Sequence, residues 1–175
     1  WGRNGVGALG DGTTVDRYVP VPVVGLTDAE SVTAGFGHTC AVRTDDSVWC
    51  WGNADALDPG WSPNLLVANP VPGITDAAHA TVANAHLCVT PNDSTVRCQG
   101  SRHFYGLVGD GTFGGWSPPV EPTGLGTVDR VESSPDLACA LQEGEIRCWG
   151  YNRDNNLGDG GPGDQADFGP VDGLS

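Results

Sequence analysis

Val32-Thr33-Ala34-Gly35-Phe36-Gly37-His38-Thr39-Cys40-Ala41-Val42, followed by Asp45-Asp46-Ser47-Val48-Trp49-Cys50-Trp51-Gly52-Asn53, is the stretch that decides the fold. It holds short runs rich in Val and Thr, bounded by Gly and Asp, which is the pattern of strands joined by tight turns. No apolar period of 3.6 is sustained over the dozen residues a helix needs.

The same succession returns along the chain. New copies open at Trp51-Gly52, Gln99-Gly100 and Trp149-Gly150, spaced by 50, 48 and 50 residues from Trp1-Gly2. After each opening pair comes a glycine-aspartate loop: Leu9-Gly10-Asp11-Gly12-Thr13, then Val108-Gly109-Asp110-Gly111-Thr112 and Leu157-Gly158-Asp159-Gly160, with a degraded version at Ala56-Leu57-Asp58-Pro59-Gly60. A proline-bounded apolar segment follows, Pro22-Val23-Val24-Gly25-Leu26 in the first copy, and reads as a further strand. The chain of 175 residues is therefore one repeat domain. Its units are 1–50, 51–98, 99–148 and a partial unit 149–175. Units of this size built from several short strands are propeller blades, so the fold class is all-β, a β-propeller of about three and a half repeats.

The six cysteines fall into three local pairs, Cys40 with Cys50, Cys88 with Cys98 and Cys139 with Cys148. A two-residue turn at Glu143-Gly144 makes residues summing to 287 face each other, and 139 and 148 do so. A three-residue turn in the other two hairpins gives sums of 90 and 186, and their cysteines again lie opposite. Turn length and cysteine spacing change together, as an antiparallel register demands. Facing Cβ atoms of a non-hydrogen-bonded pair are within disulfide reach. Zinc sites use tighter pairs that converge, so these spacings fit metal poorly. Three disulfides imply an oxidising compartment, and the expectation is a secreted or cell-surface chain.

Composition narrows the function. Eight basic residues, all arginine, stand against 22 acidic ones, a formal charge of −14. Such a chain repels phosphate backbones and favours basic partners, so no nucleic-acid binding is expected. No long apolar run exists, and no membrane insertion is expected. Methionine is absent even at position 1, so the chain is expected to start after processing or to be cut from something longer.

The combined signature of His38-Thr39-Cys40, Trp49-Cys50-Trp51-Gly52 and the glycine-aspartate loop resembles the repeats of the regulator of chromosome condensation family, over the whole chain. The resemblance implies a seven-bladed β-propeller, and similar repeats occur in secreted bacterial proteins. The second copy departs at Gln99, where the others have Trp, and the third replaces the histidine region with Pro135-Asp136-Leu137-Ala138-Cys139. The family's namesake is a nuclear exchange factor. A disulfide-bearing acidic chain does not suit that compartment, so fold is carried over and function is not. Three and a half units do not close a seven-bladed ring. The chain is expected to be a piece of a longer propeller, an assembly whose blades continue across chains, or an open monomer.

Candidate functional residues lie where the copies differ. His38 and His86 occupy a repeated slot and are expected to bond neighbouring backbone. His79 and His103 lack repeat equivalents, but neither has a nucleophile beside it. No catalytic residue, cofactor or metal is expected, and the chain is read as not an enzyme. Trp49, Trp51 and Trp149 recur and are expected to pack between blades. Trp61 and Trp116, each followed by Ser-Pro, sit in the variable loop, and His103, Phe104 and Tyr105 belong to a stretch without counterpart. These five are the candidate binding residues, since loops on a rigid scaffold are where recognition concentrates. Asp154 to Gly160 superficially suggests calcium, but Gly158 and Gln165 break the calcium-loop pattern, and turn capping by Asp11, Asp110 and Asp159 accounts better for the repeated aspartate; a looser calcium site using Asp159, Asp164 and Asp167 is the alternative there. Asn92-Asp93-Ser94 is a glycosylation sequon that matters only in a eukaryotic source. The expected function is an extracellular, non-enzymatic module binding a protein partner or a second copy of itself. Alternatives are a structural repeat protein of a surface layer or filament, and carbohydrate binding.

Overall fold

The computed structural model describes residues 1–53, 60, 64–84, 86–101, 105–161, 163 and 165–171. Twelve strands form three four-stranded antiparallel sheets, each a simple meander. The first holds β1 (Ala29–Ala34), β2 (His38–Arg43), β3 (Val48–Asn53) and β4 (Asn64–Pro70). The second holds β5 (Ala77–Val82), β6 (His86–Pro91), β7 (Arg97–Ser101) and β8 (Trp116–Val120). The third holds β9 (Arg130–Ser133), β10 (Leu137–Gln142), β11 (Glu145–Gly150) and β12 (Gln165–Pro170). The sheets are the blades of a partial propeller, with β1, β5 and β9 side by side at the inner edge.

The blades are offset from the sequence copies. Each sheet starts in the middle of one copy and ends in the next, so a Trp-Gly pair falls near the end of a third strand. Residues 1–28 precede the first full sheet. The bridge Gly2↔Arg17 in this segment matches Gly52↔Leu65, Gly100↔Ser117 and Gly150↔Gln165 in the sheets.

Hairpin register follows turn length as the spacing requires. Cys40 faces Cys50, Cys88 faces Cys98 and Cys139 faces Cys148, and all three pairs are disulfides. In the short turn Glu143 and Gly144 both have positive φ, 54° and 86°, as a type I′ turn needs. The longer turns carry one left-handed residue each, Asp46 at 62° and Ser94 at 64°.

Two readings of the strands are corrected. The proline-bounded apolar segments are turns rather than strands, with Gly25, Gly73 and Gly124 at φ of 76°, 78° and 79°. A left-handed glycine two residues or so after a proline that lacks an N–H favours a turn over a ladder. The variable region instead supplies the fourth strand, and Trp116 opens β8 rather than lying in a loop. Pro118 and Pro119 are tolerated there because β8 is the outer edge of its sheet.

The core lies in the seams between sheets. Cys40, Val42, Val48 and Cys50 on the front of the first sheet pack against Ala80, Val82, Leu87 and Val89 on the back of the second, sealed by Val71 and Ile74. Cys88, Val96 and Cys98 meet Val131, Ala138, Ala140 and Trp149 in the next seam, sealed by Leu125 and Val128. Each of these two disulfides is therefore covered by the following blade. A smaller cluster joins Val23 and Leu26 of the opening segment to Ala41, Trp51 and Ala68.

Polar rungs repeat across the seams. The Val82 amide donates to Thr33 Oγ1 at 3.2 Å, and one blade on the Ser133 amide donates to Thr81 Oγ1 at 3.1 Å. The indole of Trp51 donates to the Ala8 carbonyl at 2.9 Å, and that of Trp149 to the Leu107 carbonyl at 3.1 Å. These two tryptophans thus lock each blade to the loop of the one before it.

Candidate functional site: the long-loop face

Strand direction sorts the connections onto two faces. The tight β2–β3, β6–β7 and β10–β11 turns share one end with the connections 71–76 and 121–129. Asp45, Asp46, Asp93 and Glu143 lie in those turns, and Asp28, Asp76 and Asp129 just before the inner strands. At the other end emerge the β1–β2, β5–β6 and β9–β10 turns and the long connections between third and fourth strands. This long-loop face is the candidate site.

Its loops are built around buried asparagines. Asn4 is fully buried; its Oδ1 accepts from the Leu9 amide at 2.9 Å and its Nδ2 donates to Asp11 Oδ1 at 3.1 Å and the Thr13 carbonyl at 3.0 Å. Asn152 repeats this with the Leu157 amide, Asp159 Oδ1 and the Gly161 carbonyl. The aspartates are caps. Asp11 Oδ1 accepts from the Thr13 hydroxyl and amide, and Asp110 Oδ1 does the same with Thr112. The Thr13 hydroxyl, with Arg17 beside it, holds the Asp11 carboxyl down to about 2. The Asn152 side chain likewise holds Asp159 below the usual carboxylate range. Asp164 lies outside the described residues, so a looser calcium site there has no described geometry.

Of the candidate binding residues, Trp61, His103 and Phe104 lie outside the described residues. Trp116 is half-buried on β8. Tyr105 meets Tyr151 of the next blade edge to face, with ring centroids 4.9 Å apart at 71°. Tyr105 lies in the loop after β7 and Tyr151 directly after β11, so the pair bridges neighbouring blades on this face.

The face also carries a cleft of about 530 Å³ between the opening segment and the β1–β2 turn, lined by Trp1, Arg3, Val6, Phe36, Thr39 and Asn53 among others. Phe36 is 78% exposed and Trp1 73%. The sequence reading passed over Phe36. The signal was there: the same turn position holds Asn84 and Pro135 in the other copies, so an aromatic side chain is a departure from the repeat.

The histidines divide. His38 is buried at the start of β2 and hydrogen-bonds the backbone of Phe36, as its repeated slot suggested; His86 is buried at the equivalent place. Burial pushes His38 down to about 4. The unfolded chain then takes up a proton near the ordinary 6.5 that the folded chain refuses until about 4. Stability is full above pH 6.5, falls as the pH drops and levels off below 4, a loss of roughly 3 kcal/mol from this group. Urea midpoints measured from pH 7.5 to 4 should show it, and His38→Gln should flatten the profile; an unchanged slope in the variant would refute the assignment. His79 Nε2 lies 3.6 Å from Glu132 Oε1 across the second seam, and burial, then Arg130, lowers its pKa. Among the described residues no group of three or more metal-binding side chains converges.

Comparison with known proteins agrees with the architecture. Residues 1–42 match the family described as "Regulator of chromosome condensation (RCC1) repeat". The fold is that of the RCC1 β-propellers, present here in part. Human E3 ubiquitin-protein ligase HERC2 is 36% identical over 59 residues, 31% of this chain and 1% of that protein, and mouse HERC2 matches to the same extent. Yeast RCC1 (Prp20), solved bound to Kap60, superposes with a TM-score of 0.81 at 15% identity, over 98% of this chain and 43% of its own. Human WBSCR16 gives 0.82 at 22%, over 98% and 46%. A second structure, that of Saccharomyces cerevisiae Prp20p, a protein with binding properties to Gsp1p and histones, gives 0.79 at 14%, over 94% and 44%. The RCC1-repeat chain thus spans under half of each of these solved chains and about a hundredth of HERC2. At these identities the solved structures speak for fold alone. Among the described residues no helix is long and apolar enough to cross a membrane.

Proposed function

We propose that this RCC1-repeat chain is an extracellular, non-enzymatic module that binds a protein partner through its long-loop face. The observation that carries the reading is Phe36, 78% exposed in the β1–β2 turn, where the other copies have Asn84 and Pro135. Exposed aromatics at a cleft are the usual anchors of protein interfaces. The fold neighbours have protein partners, Kap60 for yeast RCC1 and Gsp1p and histones for Prp20p. Three disulfides favour an oxidising, extracellular setting. The acidic turn face adds long-range attraction for basic regions of a partner.

The test is affinity capture from the extracellular medium of the source. A protein retained by the wild-type chain should be lost, by at least about tenfold for a central aromatic anchor, with Phe36→Ala. It should persist with Glu30→Gln plus Glu143→Gln on the opposite end. Equal capture by both variants would overturn the reading.

A further inference from the structure

Phe36 stands in solvent, but its turn is anchored from below by a buried ring. His38 opens β2 with 1% of its surface exposed. The ring hydrogen-bonds the Phe36 backbone in the sense that favours the charged form, so a ring N–H donates to the Phe36 carbonyl. The other ring nitrogen, Nε2, is buried with no hydrogen-bond partner. It lies under the point where the first two blades touch. A Cβ added at Gly35 would meet the Ala83 carbonyl oxygen well inside contact distance, and His38 Nε2 at 3.0 Å. Gly35, one residue before Phe36, is thus wedged between the second blade and the imidazole. Its amide donates to the His38 carbonyl at 2.9 Å, which closes the turn. The third copy closes its turn in the same way, from the Ser134 amide to the Leu137 carbonyl at 2.9 Å, with a leucine where the ring would be.

A proton on Nε2 places a positive charge in a site sealed from water, and that is costly. No carboxylate offsets it. β3, the Gly35–Gly37 turn and Ala83 contribute none, and Glu30 of β1 lies at the opposite end of the sheet. Asp11 and Asp16 of the opening segment are engaged by Asn4. Arg3, which lines the neighbouring cleft with His38, is itself cationic, and the titratable side chain of the facing turn is His86, buried at the start of β6. The charge is accommodated most directly by parting the Gly35–Ala83 junction, which admits water to Nε2 and frees the turn. We propose that His38 is the positioning residue of Phe36: its neutral ring holds the β1–β2 turn against the second blade, and its protonation in an acidic medium frees that turn and weakens the hold on a partner bound through Phe36. The inference rests on the protein-binding reading above and supplies its regulation.

The test is an NMR titration of the ¹⁵N-labelled, oxidised 175-residue chain between pH 7.5 and 3.5. The His38 Cε1–H resonance should titrate at about 4. Amide exchange at Gly35, Phe36, Gly37 and Ala83 should rise with the same midpoint, while the Cys139 and Ala140 amides of the third hairpin stay protected. His38→Gln keeps a donor for the Phe36 carbonyl but takes no proton, so the acid transition in the turn should vanish and its neutral exchange rates should remain. His38→Leu, which copies Leu137, should exchange faster in the turn at every pH. The wild-type titration needs neither variant to fold. Turn amides that keep their protection while His38 titrates overturn the proposal. So does loss of protection at Cys139 and Ala140 with the same midpoint, which would make the event unfolding rather than release of a turn. In the capture experiment, the retained protein should bind about twofold more weakly at pH 4 and about fourfold at pH 3.5, in step with the neutral fraction of the ring, and the profile should be flat with His38→Gln. If the turn titrates but Phe36→Ala leaves capture untouched, the protein-binding reading fails and the positioning role stands alone. If Phe36→Ala abolishes capture but the turn does not respond to acid, the reading survives and the proposal falls.

Discussion

Gly52→Ala is expected to destabilise the chain by more than about 4 kcal/mol, beyond the ordinary range for a single substitution. Gly52 has φ of +94°, and a Cβ there would lie 2.4 Å from the Gly37 carbonyl oxygen and 2.8 Å from His38 Cα. Both obstacles are backbone of the paired strand, so no side chain can swing aside. The glycine sits where β3 shifts register against β4, and the same irregularity recurs at Gly100 and Gly150. Gly150 repeats the crowding, with φ of +116° and the Asp136 carbonyl 2.6 Å from the added carbon. Gly73→Ala is the control. Its φ is +78° but nothing lies within 4 Å, so only the left-handed conformation is penalised, by about 1 kcal/mol. Denaturant midpoints of the two variants separate the effects, and a Gly52→Ala protein as stable as the control would refute the close approach.

The second large effect belongs to Trp149→Ala, expected to cost about 4 kcal/mol. Trp149 is fully buried in the second seam, and its removal leaves both a cavity and the carbonyl of the buried Leu107 without its indole donor. Trp149→Phe separates the two losses. Much of the packing remains and the hydrogen bond goes, for about 1–2 kcal/mol. Calorimetric unfolding of the three proteins should give that order; a phenylalanine variant as damaged as the alanine variant would mean that the indole N–H, rather than the packing, holds the seam.

The hairpins were legible from the sequence because their geometry is local. A turn of known length fixes which residues face each other, and Cys139 with Cys148 follows from Glu143-Gly144 as surely as Cys40 with Cys50 follows from the longer turn. Trp51 and Trp149 announced themselves by recurring. The fourth strands did not, because β8 carries Pro118 and Pro119, and proline reads as a breaker unless the strand is known to lie at an edge. The turns around Gly73 and Gly124 read as strands because their apolar residues, Ile74 and Leu125, are buried; burial in a seam needs no extended backbone. The polar rungs of Thr33 and Thr81 join residues 49 and 52 apart, and no local pattern marks a hydroxyl for such a role. The site was legible only in part. Tyr105 and Trp116 were singled out as departures from the repeat, but Tyr105 serves a contact between blades, while Phe36, equally a departure, stands free in a turn that looked structural.

Every covalent staple lies within a blade and none crosses a seam. Under mechanical tension the chain would therefore come apart along its seams, while each hairpin stays folded back on itself. The residues between paired cysteines withhold about 30 Å of contour length per blade. Pulled from its ends, the oxidised protein should lengthen in short steps, and the reduced protein should reach further by that increment for each blade.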